Sequence, residues 1–188
     1  MGGEMKDEEK IQDLFIEEIS ELQLQLADEK VTLAEASKSV CSTEKRSSGE
    51  IQSGTETILL VDDEKTVSEV MEKALTLTGY KVLLARGGEE ALEVYRNNQN
   101  RIDVVVLDMI MPGMNGGKVF DQLRQMDPGV SVILSTGYSK DGEASHIMTR
   151  GCNGFLQKPF GIKELSQKIR EVIDKQRKAE TVKNSPNM

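Results

Sequence analysis

Four groups that could share one piece of chemistry each follow a short apolar run. They are Asp62-Asp63 after ILLV, Asp108 after VVVL, Ser135-Thr136 after VIL, and Lys158-Pro159 after GFLQ. Three carboxylates, a hydroxyl and an ammonium on one rim call for neutralisation of the acids, because like charges held close raise one another's pKa. A hard divalent cation does this, and Mg²⁺ fits an oxygen-only ligand set while keeping several of its waters. Singly, each group has an ordinary explanation: Asp62 or Asp63 could cap a helix that begins at Glu64. Four such groups at four different run ends point instead to a site.

The elements that must position them are legible as an alternation. Apolar runs at 57–61, 82–85, 104–107, 130–134 and 154–156 read as buried strands. Between them, three- and four-residue apolar spacing marks helices: Val67, Val70, Met71, Ala74 and Leu75; Ala91, Leu92 and Tyr95; Val119, Phe120, Leu123 and Met126. A weak helical period lies near 142–150, and Ile162, Leu165, Ile169, Val172 and Ile173 follow the last run. Parallel strands need crossover helices, so residues 55–178 read as one doubly wound α/β domain. In such a sheet, ligands sit beyond the carboxyl ends of the strands, where the four groups stand.

The pieces ILLVDDE (58–64), VVVLDMIMPGMNG (104–116), VILSTGYS (132–139) and GFLQKPF (154–160) resemble, in order and spacing, the response-regulator receiver domains of two-component signalling. The resemblance spans residues 55–178 and implies a flavodoxin-like, five-stranded parallel sheet of order 2-1-3-4-5. It makes Asp108 the phosphoacceptor, which attacks phosphorus to give an acyl phosphate. Asp63 becomes a direct Mg²⁺ ligand, Asp62 acts mostly through water, and the backbone carbonyl of Ile110 is the third protein contact. Thr136 would hydrogen-bond the phosphoryl group, and Lys158 would pair with it after orienting Asp108 in the empty site. The family's cis peptide would fall at Lys158-Pro159, the linkage type where cis is least costly. These roles agree with the physics of phosphoryl transfer, which is mainly positioning and charge neutralisation.

The resemblance further implies a phosphorylation-dependent switch rather than an enzyme, loaded by a histidine kinase or phosphotransfer protein and signalling through protein contacts. Thr136 and Phe155 would be its moving parts. Phe155 stands where the family often has Tyr; without a hydroxyl its inward state rests on packing, and a fixed core Phe is the other reading. Asn115 replaces a frequent Asp before Gly116 and suits the turn equally well. Ile110 and Tyr138 flank the path of the hydrolytic water, and an aliphatic group cannot orient it, so self-dephosphorylation should be slow. ILSTGYS and ELSQKIREVID are also similar to receivers attached to hybrid histidine kinases, so a stand-alone receiver and a piece of such a system both fit. A hydrolase of the haloacid-dehalogenase type needs a second Asp at position 110, where Ile stands. A dinucleotide site fails because RGGEE (86–90) lacks the spaced glycines.

Composition bounds the rest. The 188 residues carry 32 acidic and 24 basic side chains, a net charge of −8, with no Trp. That balance, with no basic patch, argues against nucleic acid as a partner. No apolar stretch is long enough to span a bilayer, and the amino terminus lacks a secretory h-region, so a cytoplasmic location is expected. Cys41, Cys152 and the lone His146 make neither a disulfide framework nor a zinc site, and His146 reads as a partly exposed helix residue. Residues 1–54 hold 13 acidic against 6 basic side chains, and residues 55–188 hold 19 against 18. Within 1–40, Phe15, Ile19, Leu22, Leu26, Glu29, Leu33, Ala36 and Val40 form a heptad seam. It suits a single amphipathic helix or a coiled coil; the narrow seam and charged flanks favour a homodimer through this helix. Residues 41–54 read as a flexible Ser- and Gly-rich linker and 179–188 as a disordered tail, too short for an effector domain. A coiled-coil scaffold whose receiver no longer cycles is the alternative function.

Overall fold

Runs such as VVVL carry no polar residue for a solvated face, so strands built from them need cover on both sides. The computed structural model, which describes residues 51–137, 147 and 149–183, provides it. The order is β1 (Thr57–Val61), α1 (Lys65–Leu77), β2 (Lys81–Ala85), α2 (Gly88–Asn98), β3 (Val104–Asp108), α3 (Gly116–Met126), β4 (Val132–Thr136), β5 (Gly154–Gln157) and α4 (Ile162–Lys183). The five strands form one parallel sheet of order β2-β1-β3-β4-β5.

Alternation along each strand divides the core into two layers. Ile58, Leu60, Val104, Val106, Ile133 and Leu156 face the apolar stripes of α1 and α4. Leu59, Val61, Val105, Leu107, Val132 and Leu134 face those of α2 and α3. Burial of each large apolar side chain contributes about 1.5–3 kcal/mol, and the parallel register, with Val61 opposite Leu107, Asp108 opposite Ser135 and Thr136 opposite Gln157, keeps the strand ends level. Val61, Asp108, Thr136 and Gln157 therefore finish their strands along one edge.

Three boundaries differ from the sequence reading by two residues or more. Strand four begins two residues late, at Val132, because Val130 closes a turn onto the Asp127 carbonyl and the polar Ser135 and Thr136 complete the pairing with β3 and β5. The end of the segment read as linker is docked: Ile51 packs on the α1–α4 core layer, and the Gly54 amide donates to the Thr78 carbonyl at 3.1 Å. The tail does not begin at 179. α4 continues to Lys183, held by Arg177 on Glu56 and by the Thr181 hydroxyl on the Arg177 carbonyl. The heptad segment, residues 41–50, Tyr138, His146, most of the weak period at 142–150, and residues beyond 183 lie outside the described residues.

Candidate functional site

The edge where the strands end gathers the groups singled out in the sequence. Asp62 immediately follows β1, Asp108 ends β3, Thr136 ends β4 and Lys158 follows β5. The Lys158 ammonium bridges the two buried acids, 2.9 Å from Asp62 Oδ2 and 2.7 Å from Asp108 Oδ2. The other oxygen of each is held by main chain: Glu64 N–H donates to Asp62 Oδ1 at 2.9 Å, and Ile110 N–H to Asp108 Oδ1 at 3.1 Å. Asp62 thus restrains the turn into α1 without being its N-cap residue, which is Glu64. Asp63 is exposed beside them.

Lys158 is placed by two features. Its own N–H donates to the Thr136 carbonyl at 2.9 Å, extending the β4–β5 pairing, and the peptide to Pro159 is cis. Thr136 is buried, as is Ser135, which pairs in register with Asp108. Ile110 projects outward at 52% exposure, the one exposed large hydrophobic among the described residues. Phe155 is half-buried against the α2–α3 layer, and it lines a groove of about 370 Å³ with Pro159, Phe160 and Glu171.

The charges of this cluster are coupled. Burial pushes the Asp108 carboxyl above the usual carboxylate range, while Lys158 pulls it back and Asp62 adds a further push. Burial also works against the Lys158 ammonium. Asp62 and Asp108 outweigh it and hold the lysine charged well above its ordinary value.

Carboxylate oxygens of Asp62, Asp63 and Asp108 all lie within 4.8 Å of one another. An all-oxygen set of this spread fits a hard divalent cation such as Mg²⁺, and it does not fit a metal that wants thiolate or imidazole.

Two further residues hold the site, both at the end of the VVVLDMIMPGMNG piece and read there only as a turn. A Cβ on Gly116 would stand 2.3 Å from the Asp108 carbonyl oxygen and 2.8 Å from Met109 Cα, so only glycine lets α3 start against the β3 end. Asn115 then caps α3, accepting from Lys118 N–H at 3.0 Å. The doublet Gly116-Gly117 after Asn115 was the available signal, and it reads as an ordinary turn.

The family model for the response regulator receiver domain matches residues 58–170. The chain belongs to this family. A receiver is a signalling module rather than a classical enzyme. Among curated proteins, this receiver is similar to the sensor kinase CckA of Brucella abortus, 38% identical over 124 residues that make up 66% of this chain and 13% of the kinase. It spans about half the length of the next curated regulators that it matches. Among solved structures, it resembles a receiver domain protein from Clostridium thermocellum, at 31% identity and a TM-score of 0.63, covering 66% of this chain and 98% of that one. It also resembles the response regulator TrrA of Thermotoga maritima, solved in complex with Mg²⁺-BeF, at 32% identity and a TM-score of 0.56, covering 62% and 98%. Among the described residues, no helix is long and apolar enough to cross a membrane.

Proposed function

We propose that the chain is a phosphorylation-dependent response regulator that accepts a phosphoryl group on Asp108. The observation that carries this reading is Lys158 bridging Asp62 and Asp108 at the strand ends, with Asp63 exposed beside them. A carboxylate oxygen of Asp108 attacks phosphorus of a phosphohistidine on a histidine kinase or phosphotransfer protein. The P–N bond breaks, the imidazole leaves with its electron pair and takes up a proton, and an acyl phosphate remains. Lys158 orients Asp108 beforehand and then pairs with the phosphoryl oxygens, as Thr136 does through its hydroxyl.

Asp62, Asp63, Asp108 and the Ile110 carbonyl would hold Mg²⁺. Both oxygens of Asp62 already accept a hydrogen bond, whereas exposed Asp63 is open to direct ligation. Bound there, Mg²⁺ neutralises the charge that gathers on the phosphoryl oxygens. Output passes through protein contacts, with Thr136 and Phe155 as the switch and residues 1–40 as an acidic, dimerising helix. Ile110 offers the hydrolytic water no polar group, so the phosphorylated state is long-lived. The setting is cytoplasmic.

Acetyl phosphate tests the reading, with intact mass as the readout. One phosphoryl group is gained in the presence of Mg²⁺, none with chelator, and none in Asp108→Asn. A gain in the Asn variant equal to that of the wild type would remove Asp108 from its role.

A further inference from the structure

Residues 51–56 run along one side of α4. The Gln52 main-chain N–H donates to Ser166 Oγ at 3.1 Å, and Glu56 Oε1 accepts from Arg170 at 2.6 Å and from Arg177 at 2.9 Å. Positions 166, 170 and 177 are four and seven residues apart, which places them on one helix face. Ile51 enters the core layer shared by α1 and α4. Gly54 lies so close that a Cβ there would stand 2.3 Å from both Tyr80 Cε1 and Glu56 Oε2. This strap is where residues 1–50 join the domain. At its other end, α4 begins four residues after Lys158, through the buried Phe160 and Ile162. One helix therefore connects the cation between Asp62 and Asp108 to the hydroxyl that holds Gln52.

We propose that the Ser166–Arg170–Arg177 face of α4 is the surface on which the chain's own amino-terminal segment reads the state of Asp108, the strap loosening when that carboxylate is occupied. The proposal rests on the phosphoacceptor reading and names its output partner. A phosphoryl group brings about 1.5–2 negative charges and three acceptor oxygens next to Lys158, and the lysine ammonium shifts from between the two carboxylates toward those oxygens. The connection from Lys158 to α4 is short and anchored by packed side chains, so that displacement reaches the first turns of the helix rather than dissipating in a loop. Ser166 is in the second of those turns. The Glu56 end of the strap, held by two arginines, stays in place. The Gln52 end carries no charge of its own and is attached through the Ser166 hydroxyl and the Ile51 side chain, and it is the end that releases residues 1–50. Coupling of this kind is reciprocal: a loosened strap favours the occupied site by the same factor that occupancy favours the loosened strap.

The experiment is amide hydrogen exchange on the full chain, with Mg²⁺ alone and with Mg²⁺ plus beryllofluoride as phosphoryl mimic, for wild type and Ser166→Ala. In wild type, beryllofluoride should slow exchange in the 108–112 loop and speed it at residues 51–54 by about fivefold or more. In Ser166→Ala, residues 51–54 should exchange fast from the start and change little on adding the mimic, while the 108–112 loop still slows. A slowed loop with an unchanged strap in wild type overturns the coupling and leaves the phosphoacceptor reading intact. A Ser166→Ala strap that exchanges like wild type overturns the assigned surface. No response in the 108–112 loop overturns both readings.

Discussion

Replacing Lys158 by Met removes the cation that joins Asp62 to Asp108 while keeping most of its bulk. The two acid side chains are 2% and 8% exposed and Lys158 is 15% exposed, so water replaces little of what is lost. Breaking a buried ion pair by deleting one partner costs about 3–5 kcal/mol; the open Asp63 side of the rim places this case near 3 kcal/mol. With a urea dependence of about 1.5 kcal/mol per molar, the midpoint should fall by about 2 M. The loss should also depend on pH. Burial and Asp62 already push Asp108 up, and without Lys158 nothing on the ammonium side pulls it back. The folded variant then holds a proton that the unfolded chain releases, so its deficit grows as pH rises from the ordinary carboxylate range to the raised folded value. Because Asp108 is raised in the wild type as well, only its further rise in the variant enters the gap, which should be wider at neutral pH than at acid pH. Urea unfolding followed by circular dichroism in chelator, at both pH values, measures this. A variant as stable as wild type near neutrality, or a gap that stays constant toward acid, would refute the electrostatic account of the rim.

Asp108→Asn should behave oppositely in stability. It leaves Lys158 paired with Asp62 and removes one of two crowded carboxylates, so thermal unfolding should match wild type or gain about 1 kcal/mol while phosphorylation is lost. Gly116→Ala forces a Cβ against the Asp108 and Met109 backbone. It should lose about 1–3 kcal/mol in urea and slow phosphorylation by acetyl phosphate about tenfold or more, and wild-type values for both would contradict the close approach. Glu56→Gln removes a carboxylate that burial alone would push up but that Arg170 holds below its usual value. The wild type's advantage, about 1.5–3 kcal/mol, should be present above the ordinary carboxylate range and vanish as pH falls through the depressed folded value, as urea midpoints at neutral and acid pH would show. The purified phosphoprotein should keep its phosphoryl group with a half-life of many minutes by intact mass, and decay within seconds would count against the role assigned to Ile110.

The sheet was readable because a doubly covered parallel strand must be apolar throughout, and VVVL or VIL admits few other interpretations. The rim was readable for a related reason, since polar groups directly after buried strands can only face the strand-end edge. Register at β4 was not, because Val130 looks like strand in composition while its backbone closes a turn onto Asp127. The strap was missed because it has one apolar side chain, Ile51, within a Ser- and Gly-rich stretch. Its attachment depends on a serine, two arginines and a threonine carbonyl more than 20 residues away in sequence. Gly116 was readable as a turn residue but its close approach was not: the backbone it must pass belongs to the preceding strand end, and nothing in the order of residues shows that distance. The extension of α4 to Lys183 is built from good helix formers such as Lys, Ala and Glu, yet it needed the Arg177–Glu56 pair to continue beyond the core.

The most direct test of the central claim is to locate the modification. The full chain is phosphorylated in Mg²⁺ from a histidine-phosphorylated phosphotransfer protein, and the acyl phosphate is reduced with borohydride, which converts a phosphorylated aspartate to homoserine. Peptide mass mapping should find that conversion at Asp108 alone, with Asp62 and Asp63 intact and no conversion when Mg²⁺ is withheld. Conversion at Asp62 or Asp63, or at Asp108 equally well without Mg²⁺, would contradict the roles of the three rim carboxylates.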